Sequence, residues 1–244
     1  MDATRSVIKT ETRGEVTLIT LDRHEKRNAL STSLTRSLID AITTASETSR
    51  AIVLTGTGTA FCSGADLDED KQGGDFFEVL TDLLNLVRRV PVPVIAYVNG
   101  PAIGAGMMLA MVCDIRVAAE PAVFGLPVGD MAIGVEGEIV QLLATLVGGG
   151  RARSMLLAGT SLASEDSVAC GMCVPGEFSD ALALASRCAA KAPLTLRNVK
   201  AEFAPDLFSV EERDSFRAAA YASEDIVEGA RARREKRAPR FVGR

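Results

Sequence analysis

The 244-residue sequence has a single histidine and an odd number of cysteines, five. Nucleophilic mechanisms of the Ser-His or Cys-His type need an imidazole beside the nucleophile. Such a mechanism would have to use His24, which lies in a charged loop, so this class is disfavoured. The five cysteines mostly stand among apolar residues, as buried thiols do. The single C-x-x-C motif, Cys170 to Cys173, has neither a second pair nor a nearby histidine, so we expect no metal site.

The sequence also lacks long apolar runs and an excess of positive charge. Its longest apolar run, about residues 102–113, is shorter than the roughly 20 residues that a membrane-spanning helix needs. Residues 1–13 are polar, so we expect no secretory leader. The net charge of −5 argues against general nucleic-acid binding, and the one basic cluster, residues 231–237, favours a solvated helix end. We therefore expect a cytoplasmic protein with no membrane span and no nucleic-acid partner.

The composition indicates an ordinary folded chain. Apolar residues make up 47% and charged residues 24%, which is typical of globular proteins and not of disordered ones. A chain of this length buries a substantial core. Strand-like segments are concentrated in the front part of the chain, and the rest reads as helical. We predict a core over residues 1–191 and a helical region over residues 192–244.

The most informative stretch is residues 93–114. Residues 92–98 are apolar and rich in β-branched side chains, which predicts a buried strand. Asn99, Gly100 and Pro101 end that strand, and a helix is predicted to begin at residues 104–106, Gly-Ala-Gly. The first N–H groups of a helix lack intrahelical partners and carry partial positive charge. Small side chains there let a ligand oxygen approach the main chain, which predicts half of an oxyanion site, or else only close helix–sheet packing.

A second segment repeats this order of features. Residues 51–55 predict another buried strand, followed by a glycine turn and by Gly64, Ala65 and Asp66. Two strand–turn units of this kind can direct two main-chain N–H groups at one point. The glycines at 100, 104 and 106 do not have the G-x-G-x-x-G spacing of a dinucleotide site.

The rest of the chain is assigned from hydrophobic periodicity and turn residues. A hairpin is predicted from residues 7–10 and 16–21, and further strands are predicted over 114–118 and 122–124. Helices are predicted over residues 31–46, 75–89, 134–147, 151–157, 164–170, 179–191, 193–202, 210–221 and 223–235.

Segments spread over nearly the whole chain resemble the enoyl-CoA hydratase/isomerase (crotonase) family. They are residues 21–30, 51–66, 93–106, 113–118, 124–127, 146–153 and 223–225. The resemblance implies an α/β fold, a crotonase spiral of ββα repeats with a C-terminal α-helical trimerisation region. It also implies a homotrimer or a dimer of trimers, an acyl-CoA or enoyl-CoA substrate, and a place in fatty-acid or lipid metabolism. Coenzyme A would be part of the substrate, and no other cofactor is expected.

The same resemblance assigns roles to residues. The N–H groups of Ala65 and Ala105 correspond to the family's two donors to the thioester oxygen. The coenzyme A contacts correspond to Lys26, Arg27, Ala29, Ser63, Ala65, Asp66, Leu67 and Gly104. In the loop of residues 22–29 cations outnumber anions, which suits a phosphate-bearing ligand. The alternative is that this loop is merely a solvated charged loop.

The sequence departs from the family pattern at both positions where family hydratases have a catalytic glutamate. Met108 and Val128 stand there, and neither side chain can transfer a proton. Glu136 matches the position of the single glutamate found in some family isomerases. Its alternative role is a favourable acid in a helix's first turn, and weaker candidates for the proton carrier are Asp66, Asp130 and Glu138.

Two classes of function follow from this reading. One is an enzyme of the hydratase/isomerase family in which Glu136 shuttles a proton while Ala65 and Ala105 polarise the thioester. The other is a protein that binds fatty acyl-CoA without turnover, with Met108 and Val128 in an apolar tunnel. Hydrolysis or decarboxylation of an unusual CoA ester shares the same oxyanion site and stays open.

Overall fold

The computed structural model describes residues 7–66, 68 and 75–244. In chain order, the described strands are β1 (Ile8–Arg13), β2 (Val16–Leu21), β3 (Ala51–Gly56), β4 (Val94–Val98), β5 (Ala102–Ile103), β6 (Ile115–Ala118), β7 (Val123–Gly125), β8 (Leu162–Ala163) and β9 (Val174–Pro175). The described helices are α1 (Thr32–Thr48), α2 (Phe76–Arg89), α3 (Ala105–Val112), α4 (Gly137–Val147), α5 (Gly149–Ala158), α6 (Ser164–Ala169), α7 (Phe178–Ala189), α8 (Pro193–Glu202), α9 (Val210–Ala222) and α10 (Glu224–Glu235).

The main sheet has six strands in the order β1-β2-β3-β4-β6-β9. β1 and β2 form an antiparallel hairpin, while β2, β3, β4, β6 and β9 run parallel. A smaller sheet has the order β5-β7-β8. Parallel strands need crossover connections, and α1, α2 and α3 supply them between successive strands of the main sheet. The α/β class and the early strand–helix order are therefore as predicted.

The central strands are buried on both faces, which explains their continuous apolar sequences. All residues of β3 and β4 are buried. On β3, Ile52 and Leu54 join the large core that includes α1, α2 and α3. Ala51 and Val53 face the opposite side, where they pack in a second cluster with the alanines of α7. The sheet is thus covered by helices on both sides.

The helix predictions differ from the structure mainly around the glycines of the middle region. The helix predicted from residue 134 begins at Gly137, because Glu136 is still extended with φ −68° and ψ 145°. Gly148, with φ 84°, is the single residue between α4 and α5, so α5 begins at Gly149, two residues earlier than predicted. The two-residue strands β5, β8 and β9 were not predicted, since so short a segment has no periodicity to recognise.

The helices of the predicted C-terminal region are joined to the sheet by a buried lysine. Lys200 on α8 is only 8% exposed. Its Nζ lies 2.7 Å from Asp114 Oδ2 and also donates to the carbonyl oxygens of Val87 and Val92. One ammonium group therefore holds α8 against the end of α2 and the start of two strands.

In the described residues no helix combines the length and apolar character needed to cross a bilayer.

Candidate functional site

The candidate site lies where the carboxyl ends of β3 and β4 meet the loops that follow them. Ligands of open parallel sheets generally bind at this edge. The N–H of Ile103 donates to the carbonyl oxygen of Cys62 at 2.9 Å, so the two loops pair directly. A Cβ placed on Gly64 would lie 3.1 Å from the Ile103 oxygen, and one on Gly104 would lie 3.8 Å from the Gly64 Cα. The loops therefore touch main chain to main chain at the two glycines.

The first predicted donor, Ala65, sits in an extended segment paired with Leu30. The N–H of Leu30 donates to the Gly64 oxygen, and the N–H of Asp66 donates to the Leu30 oxygen, both at 2.8 Å. In a parallel pair of this kind, the residue between the two bonded ones, here Ala65, directs its own N–H away from the partner segment. The Ala65 N–H thus points away from Leu30, and it donates no hydrogen bond to any described residue.

The second predicted donor, Ala105, is the first residue of α3. Gly104 has φ 54° and ψ −122°, a conformation that favours glycine, and its carbonyl accepts the first bond of the helix from Met108 N–H at 3.0 Å. The Ala105 N–H precedes that ladder and donates to no other described residue. Gly106 is required for packing, because a Cβ there would lie 2.3 Å from the Cys62 oxygen. The structure thus brings the loops of both predicted donors together.

The far end of α3 is held by a buried arginine that the sequence reasoning did not single out. Arg116 donates through Nη1 to the carbonyl oxygens of Ala110, Met111 and Cys113, and through Nε to that of Met172. Burial is the main cause that lowers the pKa of Arg116 from its usual range. A cation at a helix C-terminus complements the helix dipole and fixes the last carbonyl groups. The sequence feature that could have indicated this role is an arginine between apolar residues in a short predicted strand.

The loop of residues 22–29 is shaped by a buried asparagine. A 3-10 turn, His24–Lys26, is followed by Arg27 and Asn28, both in the left-handed region with φ 51° and 58°. The Asn28 side chain donates to the carbonyl oxygens of Thr57 and Ala60 at 2.9 and 2.8 Å. Asparagine tolerates this backbone conformation better than most residues. Asn28 therefore fixes the loop, and the predicted ligand residues Lys26, Arg27 and Ala29 are placed by it.

The two segments predicted to contact coenzyme A are joined to each other. Arg23 Nη1 lies 2.6 Å from Asp66 Oδ2, and these side chains are only 11% and 4% exposed. Lys26 Nζ lies 2.8 Å from Asp68 Oδ2 on the surface. The Ser63 N–H donates to the Arg27 oxygen at 3.0 Å. Lys26, Arg27, Ala29, Ser63, Ala65, Asp66 and Gly104 therefore border one region, whereas Leu67 lies outside the described residues.

These ion pairs change the charge expected of the loop. Asp66 and Asp68 come from the neighbouring segment and offset the cations of Arg23 and Lys26. Arg27 is exposed, and no acidic side chain of the described residues pairs with it. A bound phosphate would therefore be attracted most strongly by Arg27. Arg23 and Lys26 would attract it less strongly than the excess of cations within the loop suggests, because each is paired with an aspartate.

The buried pair makes a pH-dependent contribution to stability. Burial acts to raise the pKa of Asp66, but the hydrogen bonds from Arg23 and from the Asp68 N–H, with nearby positive charge, hold it below its usual range. A carboxyl with a lowered pKa stabilises the fold above its unfolded pKa of about 3.9, and that contribution is lost as the pH falls through the folded pKa.

We expect Asp66→Asn to lower the free energy of unfolding at pH 7 by about 1–3 kcal/mol, because the buried ion pair of Asp66 with Arg23 is lost. The difference from wild type should shrink below about pH 4, because the carboxyl of the unfolded chain takes up a proton there, while the folded carboxyl, with its lowered pKa, does so only at lower pH. Urea unfolding at pH 7 and pH 3 measures both quantities. Asp68→Asn, which breaks the exposed pair with Lys26, is the control and should change the free energy of unfolding much less. If Asp66→Asn lowered the free energy of unfolding by the same amount at pH 7 and pH 3, the pH-dependent contribution assigned to the Asp66–Arg23 pair would be wrong.

A cavity of about 130 Å³ lies beside this region, between α2, α3 and the start of α4. Its walls include Met108 on α3 and Glu136, which is the exposed N-cap residue of α4. Glu138 also lines it, whereas Val128 is not among its wall residues. The cavity is lined by Phe77, Leu80, Thr81, Leu84, Asn85, Arg88, Met108, Val112, Ile133, Gly134, Val135, Glu136, Glu138, Ile139 and Leu142. The predicted proton carrier therefore shares a cavity with one of the two positions that lack a glutamate.

The cysteines and the histidine contribute nothing to this cavity. Burial raises the pKa of the Cys62 and Cys113 thiols to about 12, so neither is a ready nucleophile. His24 is half exposed and lies 3.7 Å from Glu25 in the charged loop. Within the described ranges no group of three or more His, Cys, Asp or Glu side chains is arranged to hold a metal ion.

Comparison with known proteins gives the family to which this chain belongs. A model of the family described as enoyl-CoA hydratase/isomerase matches residues 11–244. The probable enoyl-CoA hydratase echA6 of Mycobacterium tuberculosis is 42% identical over 235 residues, covering 93% of this chain and 96% of that protein. The 2,3-dehydroadipyl-CoA hydratase of Escherichia coli is 37% identical over 246 residues, covering 94% and 96%.

Comparison with solved structures indicates the same family. The enoyl-CoA hydratase of Bacillus anthracis superimposes with a TM-score of 0.87 at 30% identity, covering 98% of this chain and 100% of that one. The predicted crotonase-type α/β fold is thereby confirmed. The chain belongs to the enoyl-CoA hydratase/isomerase family.

Proposed function

We propose that this chain binds a CoA thioester whose carbonyl oxygen accepts hydrogen bonds from the N–H groups of Ala65 and Ala105. The proposal is supported by two free donors on loops that touch at Gly64 and Gly104. Ala105 also lies at the positive end of the α3 dipole. Main-chain donors held in this way need no reorganisation when the oxygen becomes negative, and each is typically worth about 10²–10³ in rate.

The proposed reaction is migration of a double bond in an enoyl-CoA. The Glu136 carboxylate removes a proton from C2 of a 3-enoyl thioester, and the electron pair moves onto the thioester oxygen to give a dienolate. The protonated Glu136 then returns the proton to C4, which leaves the double bond between C2 and C3. The sequence of steps is balanced with one carboxylate and no further reactant. The observation that carries it is that Glu136 lines the cavity beside Met108.

We do not expect efficient hydration. Addition of water to an enoyl thioester needs groups that orient the water and supply a proton, and each such group is worth about 10²–10⁴ in rate. Met108 and Val128 occupy the two positions where the family resemblance implies those groups, and neither side chain ionises. A single carboxylate is enough for isomerisation.

A second candidate function is binding of fatty acyl-CoA without turnover. It is favoured by the apolar wall residues, among them Met108, Leu84 and Ile139, which suit an acyl chain. Both candidates place the protein in fatty-acid or lipid metabolism, with coenzyme A as part of the ligand and no further cofactor. Both also include contacts of coenzyme A with the loop at Arg27 and assembly of the chain, through residues 192–244, into a trimer or a pair of trimers in the cytoplasm.

The deciding experiment combines an isomerisation assay with calorimetry on the wild-type protein. With 3-hexenoyl-CoA we expect the ultraviolet absorbance of the conjugated 2-enoyl product to rise faster than in buffer, with no hydroxyacyl product by mass spectrometry. Calorimetric binding of hexanoyl-CoA without any turnover of 3-hexenoyl-CoA would select the binding protein. Absence of both binding and turnover would overturn both candidates.

A further inference from the structure

The cavity has a direction that follows from the connections of the sheet. α2 joins β3 to β4 and α3 joins β4 to β6, and all three strands are parallel. Both helices must therefore run from the carboxyl edge of the sheet back to its amino edge. Their N-termini lie at the edge that carries Ala65 and Ala105, and their C-termini lie at the far edge.

Along this direction the α2 wall of the cavity changes from apolar to polar. Phe77, Leu80 and Leu84 are on the side nearer the N-terminus, and Asn85 and Arg88 lie towards the C-terminus. Phe77 and Arg88 are three helical turns apart, about 16 Å along the axis. Val112, at the C-terminus of α3, also lines the cavity. A chain that enters from the thioester end therefore meets mostly apolar side chains first, with Thr81 among them, and at the far end it meets an amide and a guanidinium beside Val112.

The amide of Asn85 is available to a ligand. Asn85 is half-buried on the cavity wall, and its side chain makes no hydrogen bond to another described residue. Thr81, one turn earlier, already donates its hydroxyl hydrogen to the Phe77 oxygen at 2.9 Å. An unpaired amide on a largely apolar wall loses solvation when an alkyl chain covers it, and it gains a partner when a polar group does.

The charge beside Asn85 is already compensated. Arg88 Nη2 lies 2.5 Å from Asp206 Oδ1, with the two side chains 19% and 29% exposed. A ligand carboxylate at this place would have to share Arg88 with Asp206 and would be repelled by it. An uncharged hydroxyl or carbonyl meets no such repulsion, because it needs only the donor and acceptor that an amide offers.

We infer that the far end of this cavity binds an uncharged polar group, and that the acyl-CoA ligand carries a hydroxyl or carbonyl near the end of its acyl chain. The inference rests on the proposed function, because it takes the thioester to be bound at the other end. A cavity of about 150 Å³ is known to hold a benzene molecule. The 130 Å³ here suits an acyl chain of comparable carbon number, about six carbons.

The test compares hexanoyl-CoA, 6-hydroxyhexanoyl-CoA and adipyl-CoA by calorimetric titration of the whole protein. One net hydrogen bond of about 0.5–1.5 kcal/mol corresponds to roughly a twofold to twelvefold change in Kd. We expect the hydroxy ester to bind more tightly than hexanoyl-CoA by a factor in that range, and more tightly than the ω-carboxylate of adipyl-CoA. In Asn85→Leu the preference should fall to unity or reverse.

Two further variants separate the explanations. Asn85→Ala removes the amide without added bulk and should show the same loss of preference if Asn85→Leu folds poorly. Asp82→Asn, an exposed change on α2 outside the cavity, should keep the wild-type ratio. Equal binding of the hydroxy and plain esters, tighter binding of adipyl-CoA, or a preference that survives both Asn85 variants would overturn the inference alone. Failure of all three esters to bind would overturn the proposed function and the inference with it.

Discussion

We expect Glu136→Gln to reduce double-bond migration by about 10²–10⁴-fold while leaving the affinity for hexanoyl-CoA almost unchanged. Glutamine has nearly the same shape as glutamate but cannot accept a proton from C2. Because the side chain acts on the proton only in the transition state, its loss should lower kcat and leave ligand binding intact. Steady-state assays with 3-hexenoyl-CoA and calorimetry with the saturated ester give the two quantities.

The matched control is Glu138→Gln, two residues later. Glu138 lines the same cavity, lies in the first turn of α4 and is likewise exposed, so the change in charge and dipole environment is the same. We expect it to alter turnover by less than about fivefold, since no direct proton transfer is assigned to it. Unchanged turnover in Glu136→Gln would remove that residue from the mechanism. Equal losses in the two variants would point to the charge at the α4 terminus instead of proton transfer.

The second large effect is expected from Ala105→Pro, which deletes one main-chain donor. Proline is well tolerated at the first position of a helix, where its missing N–H has no intrahelical role. Gly104 already has φ 54° and ψ −122°, the mirror image of the extended conformation that a residue before proline requires, and glycine adopts both. The variant should fold, and its turnover should fall by about 10²–10³-fold because the oxyanion loses one hydrogen bond.

A spectroscopic measurement makes the same test without turnover. The carbonyl stretching frequency of an isotopically labelled hexanoyl-CoA should fall on binding to wild type, as the two N–H groups polarise the bond. In Ala105→Pro we expect part of that shift to disappear. Ala105→Ser keeps both the N–H and a small side chain, so it should behave as wild type. A full wild-type shift in the proline variant would mean that the thioester oxygen lies elsewhere.

The fold was predictable where one local rule dominated. The buried strands at residues 51–55 and 92–98 have continuous apolar sequences, and α3 begins at Ala105 because small residues follow a turn. The start of α4 was placed three residues too early, since Glu136 and Glu138 both suit a first turn and the sequence does not say which residue caps the helix. Nothing local marks two-residue strands such as β5.

The site was predictable only in its main-chain parts and through family likeness. The pair of Arg23 with Asp66 joins residues 43 positions apart, and no periodicity connects them. The polar end of the cavity is likewise invisible in the sequence. Asn85 and Arg88 occupy an ordinary amphipathic helix, and only the packing of α2 against α3, with the start of α4 across the cavity, turns them towards it. The left-handed conformation of Asn28 could have been suspected from residue type, but its buried partners could not.

The main-chain contact between Gly64 and Gly104 distinguishes substitutions that would disturb the spacing of the two loops from substitutions that would change only a side chain nearby. The spacing of the two loops is set by main-chain atoms. It requires glycine at both positions, because φ is positive at Gly64 (108°) and at Gly104 (54°) and a Cβ on Gly64 would lie 3.1 Å from the Ile103 oxygen. Under the proposed function, exchanging Met108 for an acid, or Glu136 for a neutral residue, would change which side chain transfers the proton, and neither residue takes part in the contact of Gly64 with Gly104. The proposal therefore implies that single substitutions can add, remove or relocate the reactive side chain, while the main-chain donors proposed for the carbonyl oxygen stay in place.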